Sequence, residues 1–181
     1  MTNLAGWTWG LAAVAAGVGG ALAFAPAATR AWLQRFPRHR TTGWVLTAVA
    51  LAWSARLLWL TPLGRFDAVK PYFVVLTPLS IALVCWAMDE LLAARALGIL
   101  LLLVPAPILE AARLQDSPLR LVMVVVAYAM AVKGAVLVMS PYALRKGLAF
   151  ALGHDRACRI WGSIAMFYAA ALAALAALVY R

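Results

Sequence analysis

The sequence predicts an all-α membrane protein, a polytopic bundle of six transmembrane helices that forms a single domain. Of its 181 residues, 66% are hydrophobic and 12% are charged, whereas a typical soluble domain is roughly 45–50% apolar and about 25% charged. The apolar residues fall in six stretches, each close to the ~20 residues that a membrane-spanning helix needs. Short segments separate the stretches, so we expect one membrane domain over residues 1–181 and no soluble domain.

The first three stretches carry charge at or near their ends. The first ends at Pro26 and Arg30, and it lacks the basic start of a signal peptide because Arg30 is the first charge. The second contains Arg56, close enough to one end for the side chain to reach the lipid headgroups. The third is closed by the acidic pair Asp89 and Glu90. These charges therefore indicate where each helix leaves the membrane.

The last three stretches follow after a very short turn. The fourth has Arg95 near its start and Pro105 and Pro107 near its end, the fifth contains Lys133, and the sixth runs to Tyr180. If the third and fourth formed one helix of about 38 residues, it would be about 57 Å long, which exceeds a ~30 Å hydrocarbon core. We therefore expect a tight central hairpin. The six predicted spans cover residues 4–28, 43–61, 71–88, 91–109, 119–140 and 160–180.

Positive charge is concentrated in two of the loops. The chain has 16 Lys and Arg against 6 Asp and Glu, a formal net charge of +10. Loops rich in Lys and Arg stay in the cytoplasm, so we expect both termini outside and these loops against anionic lipid headgroups. The expected headgroup contacts are Arg30, Arg35, Arg38, Arg40, Arg145, Lys146, Arg156 and Arg159. Because no soluble basic domain is present, nucleic acid is not an expected partner.

The two basic hairpins share a residue spacing of seven, four and nine positions. The residues are Gly19, Pro26, Arg30 and His39 in the first hairpin, and Gly134, Pro141, Arg145 and His154 in the last. After each proline we expect a short amphipathic helix on the inner surface, over residues 28–36 and 142–152. The spacing indicates a duplicated hairpin around the central one, although basic cytoplasmic hairpins in general share these features. Six crossings would make the repeat parallel, and five would make it inverted.

The second hairpin has a longer pattern than this spacing alone. It contains, in order, Gly134, Pro141, Arg145, Lys146, His154, Asp155, Arg159 and Gly162, followed by an apolar helix to Tyr180. This pattern resembles the small two-helix bacterial inner-membrane proteins of the YjeT type, a family of unknown function, over about 50 residues at the C-terminal end. The first hairpin matches less well, since Arg40 stands where the second has Asp155. The resemblance implies a hairpin in a bacterial inner membrane and no particular chemistry.

Candidate chemistry is sparse, and intramembrane charge is the default place to look for it. Lys133 could hold an ion or substrate. Alternatively, its side chain could snorkel to the interface or pair with Asp89 or Glu90, and we favour these two interpretations. Both histidines, His39 and His154, lie in loops, and no metal-ligand, phosphate-loop or hydrolase motif occurs. We therefore expect no catalytic residue, no metal, no cofactor and no enzymatic activity.

Small residues recur at intervals of four in the first and last helices. They are Ala12, Ala16 and Gly20 in the first helix, and Ala169, Ala173 and Ala177 in the last. Such faces allow close packing of helices in a membrane. They can serve either packing within the bundle or docking to another membrane subunit.

Taken together, these patterns favour a non-catalytic subunit or scaffold of a larger membrane assembly. Its expected partners are anionic lipids on the cytoplasmic side and other membrane subunits or a second copy of the chain. The alternative is a small transporter or substrate-binding membrane module with Lys133 in its site. Six helices in a chain of this length also resemble the substrate-binding components of vitamin uptake systems. An enzyme of lipid metabolism is disfavoured, because no cluster of Asp, His or Ser lies at an interface.

Overall fold

A computed structural model describes residues 4–36, 39–62, 64–87 and 92–180, and in these residues the chain is helical with no strand. The helices are α1 (Leu4–Phe24), α2 (Pro26–Arg35), α3 (Arg40–Leu60), α4 (Phe73–Ala87), α5 (Leu92–Leu103), α6 (Pro105–Arg113), α7 (Arg120–Met139), α8 (Pro141–Ala151) and α9 (Asp155–Leu178). A 3-10 segment, Gly64–Tyr72, leads into α4. The all-α fold class is therefore as the sequence predicts.

In the described residues, five helices are long and apolar enough to cross a membrane, which fits a multi-pass membrane protein. They are α1, α3, the continuous pair α5 and α6 (Leu92–Arg113), α7 and α9. The sixth expected span, residues 71–88, contains the 15-residue α4, which rises only about 22 Å against a ~30 Å hydrocarbon core. The expected continuation of this span at residue 88 lies outside the described residues.

Prolines set the helix boundaries. Pro26 and Pro141 each occupy the first turn of a new helix, where the missing N–H costs nothing. As a result α1 ends at Phe24, four residues before the predicted end of the first span. Pro105 has the opposite outcome, because Val104 keeps a right-handed helical conformation and the helix continues to Arg113. The predicted end of the fourth span at residue 109 was therefore four residues short.

Helices α1 and α9 form an antiparallel pair with touching backbones. A Cβ atom added to Gly162 would lie 2.7 Å from the backbone nitrogen of Ala23 and 2.8 Å from the carbonyl oxygen of Gly19. Since Gly19 is near the end of α1 and Gly162 near the start of α9, the two helices run in opposite directions. Only glycine permits this separation, so the pair depends on both positions.

Helix α5 lies between α3 and α7. A Cβ atom on Gly134 of α7 would lie 2.7 Å from the carbonyl oxygen of Gly98, and one on Gly43 of α3 would lie 3.2 Å from the backbone nitrogen of Ala93. Gly43 and Ala93 both belong to the first turns of their helices, so α3 and α5 run in the same direction. Helix α4, which lies between α3 and α5 in the chain, packs against α3.

The largest buried cluster lies at the end of the bundle that contains Tyr180, which we call the Tyr180 end. It joins α1, α6, α7 and α9 through Leu4, Ile108, Met123, Leu172 and Tyr180. The opposite end contains α2, α8 and the first turns of α3, α5 and α9, and we call it the hairpin end. The basic residues of the two basic hairpins therefore meet at one end of the molecule.

Candidate functional site: the basic hairpin end

The two basic hairpins contact each other directly. Helix α2 touches both α8 and α9, and the Arg30 guanidinium lies 3.4 Å from the Asp155 carboxylate. Both side chains are substantially exposed, so the pair contributes about 0–1 kcal/mol to stability. The contact is informative about geometry, because it places the first turn of α9 beside the middle of α2. The sequence predicts Arg30 as a headgroup contact and contains no signal for this partner.

A cleft of about 480 Å³ lies between α2, α8 and the residue before α3. It is lined by Ala31, Gln34 and Arg35 of α2, by His39 before α3, and by Arg145 of α8. Among the described residues, no carboxylate lies within ion-pair distance of Arg35 or Arg145. The cleft therefore carries two guanidinium groups with no carboxylate partner in the described part of the chain, and that of Arg145 lies 5.8 Å from the centroid of the Tyr142 ring. The structure brings these two predicted headgroup contacts together.

His39 is held in one orientation by the start of α3. Its Nδ1 accepts a hydrogen bond from the backbone N–H of Thr42 at 3.3 Å, and it lies 2.8 Å from the Thr42 hydroxyl. A ring nitrogen that accepts from a backbone N–H carries no proton, so in the neutral ring the proton is on Nε2. The equivalent His154 precedes α9 without a side-chain cap. His39 can thus present an Nε2–H donor to a ligand in the cleft.

The remaining predicted headgroup residues are spread around the hairpin end. Arg40 stacks its guanidinium over the Trp44 ring at 5.2 Å from the centroid. Lys146, Arg156 and Arg159 are exposed on α8 and on the first turns of α9, and Arg38 lies outside the described residues. The charges therefore form a surface around the cleft rather than a single cluster.

An apolar groove of about 540 Å³ opens between α3 and α4 at the same end. Arg40, Trp44 and Val45 line it from α3, and Ile81 and Trp86 line it from α4. Its walls are hydrocarbon and indole, with Arg40 as the charged group at one end. A lipid acyl chain fits this chemistry, because it needs apolar walls and no hydrogen-bonding partners.

Lys133 lies exposed on α7 and lines neither of these two cavities. It is six residues, about 9 Å along the helix axis, from the last residue of α7 at the hairpin end. Its neighbour Gly134 faces α5, so the Lys133 side chain is on the outside of the bundle. Asp89 and Glu90, its suggested partners, lie outside the described residues.

The described residues include no group of three or more His, Cys, Asp or Glu side chains that could hold a metal ion. Cys158 is a free, buried thiol, whose Sγ lies 4.0 Å from the carbonyl oxygen of Leu152.

The small residues predicted for helix packing divide into two groups. Ala12 and Ala169 are buried in the bundle, on the faces that α1 and α9 present to it. Ala16, Gly20, Ala173 and Ala177 are half-buried beside them. The tightest contacts instead involve Gly19 with Gly162 and Gly98 with Gly134. Gly98 was missed, since a lone glycine in an apolar run gives no periodic signal.

No protein-family model matches this chain, and neither a curated protein nor a solved structure matches it. The similarity to the YjeT-type family therefore rests on the residues of the second hairpin alone and stays a prediction.

Proposed function

We propose that this chain is a non-catalytic integral membrane subunit or scaffold of a larger assembly in a bacterial inner membrane. It crosses the membrane six times, with both termini outside and the basic hairpin end against the anionic headgroups of the cytoplasmic leaflet. Its protein partner is another membrane subunit or a second copy of the chain. The duplicated hairpins, helices α1 to α3 and α7 to α9, form the body of the molecule.

Six crossings are supported by the positions of the hairpins. Helices α3 and α5 start at the same end, so the chain between them must return across the bundle, and α4 with its 3-10 segment is the part available for this. The Arg30–Asp155 contact also requires both hairpins on one side of the membrane. Five crossings would place them on opposite sides.

The duplication is supported by the roles of equivalent residues. Gly19 and Gly134 have the same place in the two spacings, and both are points of close backbone approach. Pro26 and Pro141 both begin a short helix directly after a long one. The halves are not arranged symmetrically, because α1 packs directly on α9 whereas α5 separates α3 from α7.

The exposure of α4 is the observation that carries the subunit proposal. This helix packs on α3 and on the 3-10 segment, and its other faces are open, with Val75 67%, Leu79 61% and Leu83 58% exposed. The described part of this helix is shorter than the hydrocarbon core, and association with neighbouring helices is one way in which a membrane accommodates a short apolar helix. We therefore assign the partner's helix to this outer face of α4.

Site-specific photo-crosslinking tests the subunit proposal. A photoreactive residue at Leu79 should give one discrete crosslinked product with a membrane protein in native membranes. The matched control is Val125 on α7, which is 67% exposed against 61% for Leu79 and should crosslink only to lipid. Lipid-only products from both positions, together with a monomer in mild detergent, would contradict the proposal.

A further inference from the structure

The two basic hairpins carry side chains of opposite charge at one pair of equivalent positions. Counting from each histidine, Asp155 follows His154 as Arg40 follows His39, and Arg30 is equivalent to Arg145. In one half, Arg30 meets the carboxylate of Asp155 at the start of α9. In the other half, Arg145 lies in a cleft with His39 at the start of α3. The residue that would complete the second ion pair is Arg40, a cation.

Within the described residues, the cleft therefore has the basic side chains of an ion pair and no carboxylate paired with them. Arg35 and Arg145 supply two guanidinium groups, His39 supplies an Nε2–H, and Gln34 supplies an amide. The first turn of α3 adds the positive end of its helix dipole. Guanidinium groups bind phosphate oxygens with paired, charge-assisted hydrogen bonds. We infer that the cleft formed by Gln34, Arg35, His39 and Arg145 is a binding site for one phosphoryl group, which occupies the place that the Asp155 carboxylate has in the other half.

Two sources can supply this phosphoryl group. In the proposed orientation the hairpin end faces the inner leaflet, so the headgroup of an anionic phospholipid is the nearest source of a phosphoryl group. A free phosphate or phosphate ester from the cytoplasm has the same chemistry. The inference rests on the proposed function only for this orientation, and it needs no partner subunit.

Binding is measured on the purified full-length protein in neutral detergent. Native mass spectrometry compares retention of phosphatidylglycerol with that of phosphatidylcholine, and a thermal-shift titration uses inorganic phosphate and glycerol phosphate. We expect one retained phosphatidylglycerol per chain and little retention of phosphatidylcholine. If phosphate stabilises the protein and neither lipid is preferred, the site takes a soluble phosphoryl compound. If no probe binds, the inference is wrong, whatever partner the protein has.

Matched charge variants test the assignment of residues. Arg145→Gln should weaken binding about tenfold or more, because it removes a charge-assisted pair. Arg113→Gln removes the same charge at the Tyr180 end, outside the cleft lining, and should change binding less than about twofold, as expected for an exposed charge. Equal losses in the two variants would reduce the effect to general surface charge and overturn the inference.

A second variant tests the equivalence of the two halves. Arg40→Asp places a carboxylate where Asp155 stands in the other half. It should pair with Arg145, fill the cleft and abolish phosphoryl binding while the protein remains folded. Arg113→Asp changes the net charge by the same amount at the Tyr180 end and should retain binding. Undiminished binding in Arg40→Asp would contradict the equivalence on which the site is argued.

Discussion

At the scale of single residues, glycine sets how closely the helices approach. Gly162 lies so near to α1 that even one methyl group would meet backbone atoms of Gly19 and Ala23. Backbone atoms cannot move aside as a flexible side chain can. Gly17, on a different face of α1, has nothing within 4 Å of an added Cβ atom. The two glycines therefore have opposite requirements although both lie in apolar helices.

We expect Gly162→Ala to lower the free energy of unfolding by about 1–3 kcal/mol, the usual cost of overpacking. Gly17→Ala, the control, should change it by no more than about 1 kcal/mol, because alanine favours the helix and meets no neighbour. Unfolding of the purified variants in detergent, followed by circular dichroism, measures the difference. Equal stability of the two variants would show that α1 and α9 do not touch at Gly162.

A second residue ties the ends of separate helices together. The Tyr180 hydroxyl donates a hydrogen bond to the Leu119 carbonyl oxygen at 2.7 Å. A tyrosine hydroxyl keeps its proton at neutral pH, so it remains the donor, and the Tyr180 side chain is buried. The Gln115 amide also reaches the Val179 carbonyl oxygen at 3.5 Å. These contacts hold the end of α9 against the loop before α7.

Tyr180→Phe should lower the free energy of unfolding by about 1 kcal/mol, since it removes the hydrogen bond and keeps the buried ring. Hydrogen exchange should also increase at the α6–α7 loop. Tyr142→Phe is the control, because Tyr142 is exposed on α8. An unchanged exchange rate at the loop in Tyr180→Phe would argue against the contact.

At the scale of helices, the sequence predicts which segments are helical better than it predicts where each helix begins and ends. Long apolar runs predicted α1, α3, α7 and α9, since hydrophobic length is a local property. The same signal could not say that Pro26 starts a helix while Pro105 leaves one nearly unbroken. That outcome depends on the residue before each proline: Ala25 leaves the helical conformation with φ of −128°, whereas Val104 keeps it with φ of −59°.

The candidate site was predictable in its charges and not in its contacts. The sequence placed Arg35 and Arg145 at the inner ends of different hairpins, because basic loops set topology. Their shared cleft requires α2 to lie against α8, a contact between distant parts of the chain that leaves no periodic signal. The same limit applies to Gly98 and Gly134, which meet across α5 and α7.

At the scale of the whole molecule, the contact between hairpins makes a prediction about topology. Since Arg30 and Asp155 meet, we expect the two hairpins to lie on the same side of the membrane. Accessibility from outside the cell therefore distinguishes six crossings from five without any functional assay.

Cysteines introduced at Ala28 and Gly153, both exposed at the hairpin end, should resist a membrane-impermeant maleimide in intact cells. A cysteine at Asp116, exposed in the loop before α7, should react. The variants are made after replacement of Cys85 and Cys158, and permeabilised cells provide the control for reactivity. Labelling of Gly153→Cys but not Ala28→Cys in intact cells would indicate five crossings.

The pairing of α1 with α9 also has a consequence for biosynthesis. In this sequence α1 comes before the other described helices, and its tightest contact is with α9, which comes after them. During translation the Gly19 face of α1 therefore has no α9 partner until α9 has been made. Helices α5 to α7 can assemble earlier, because their contacts are closer along the chain. The contact between α1 and α9 thus forms only after α9 has been synthesised, and a chain that stops before α9 lacks the helix that packs on Gly19 and Ala23.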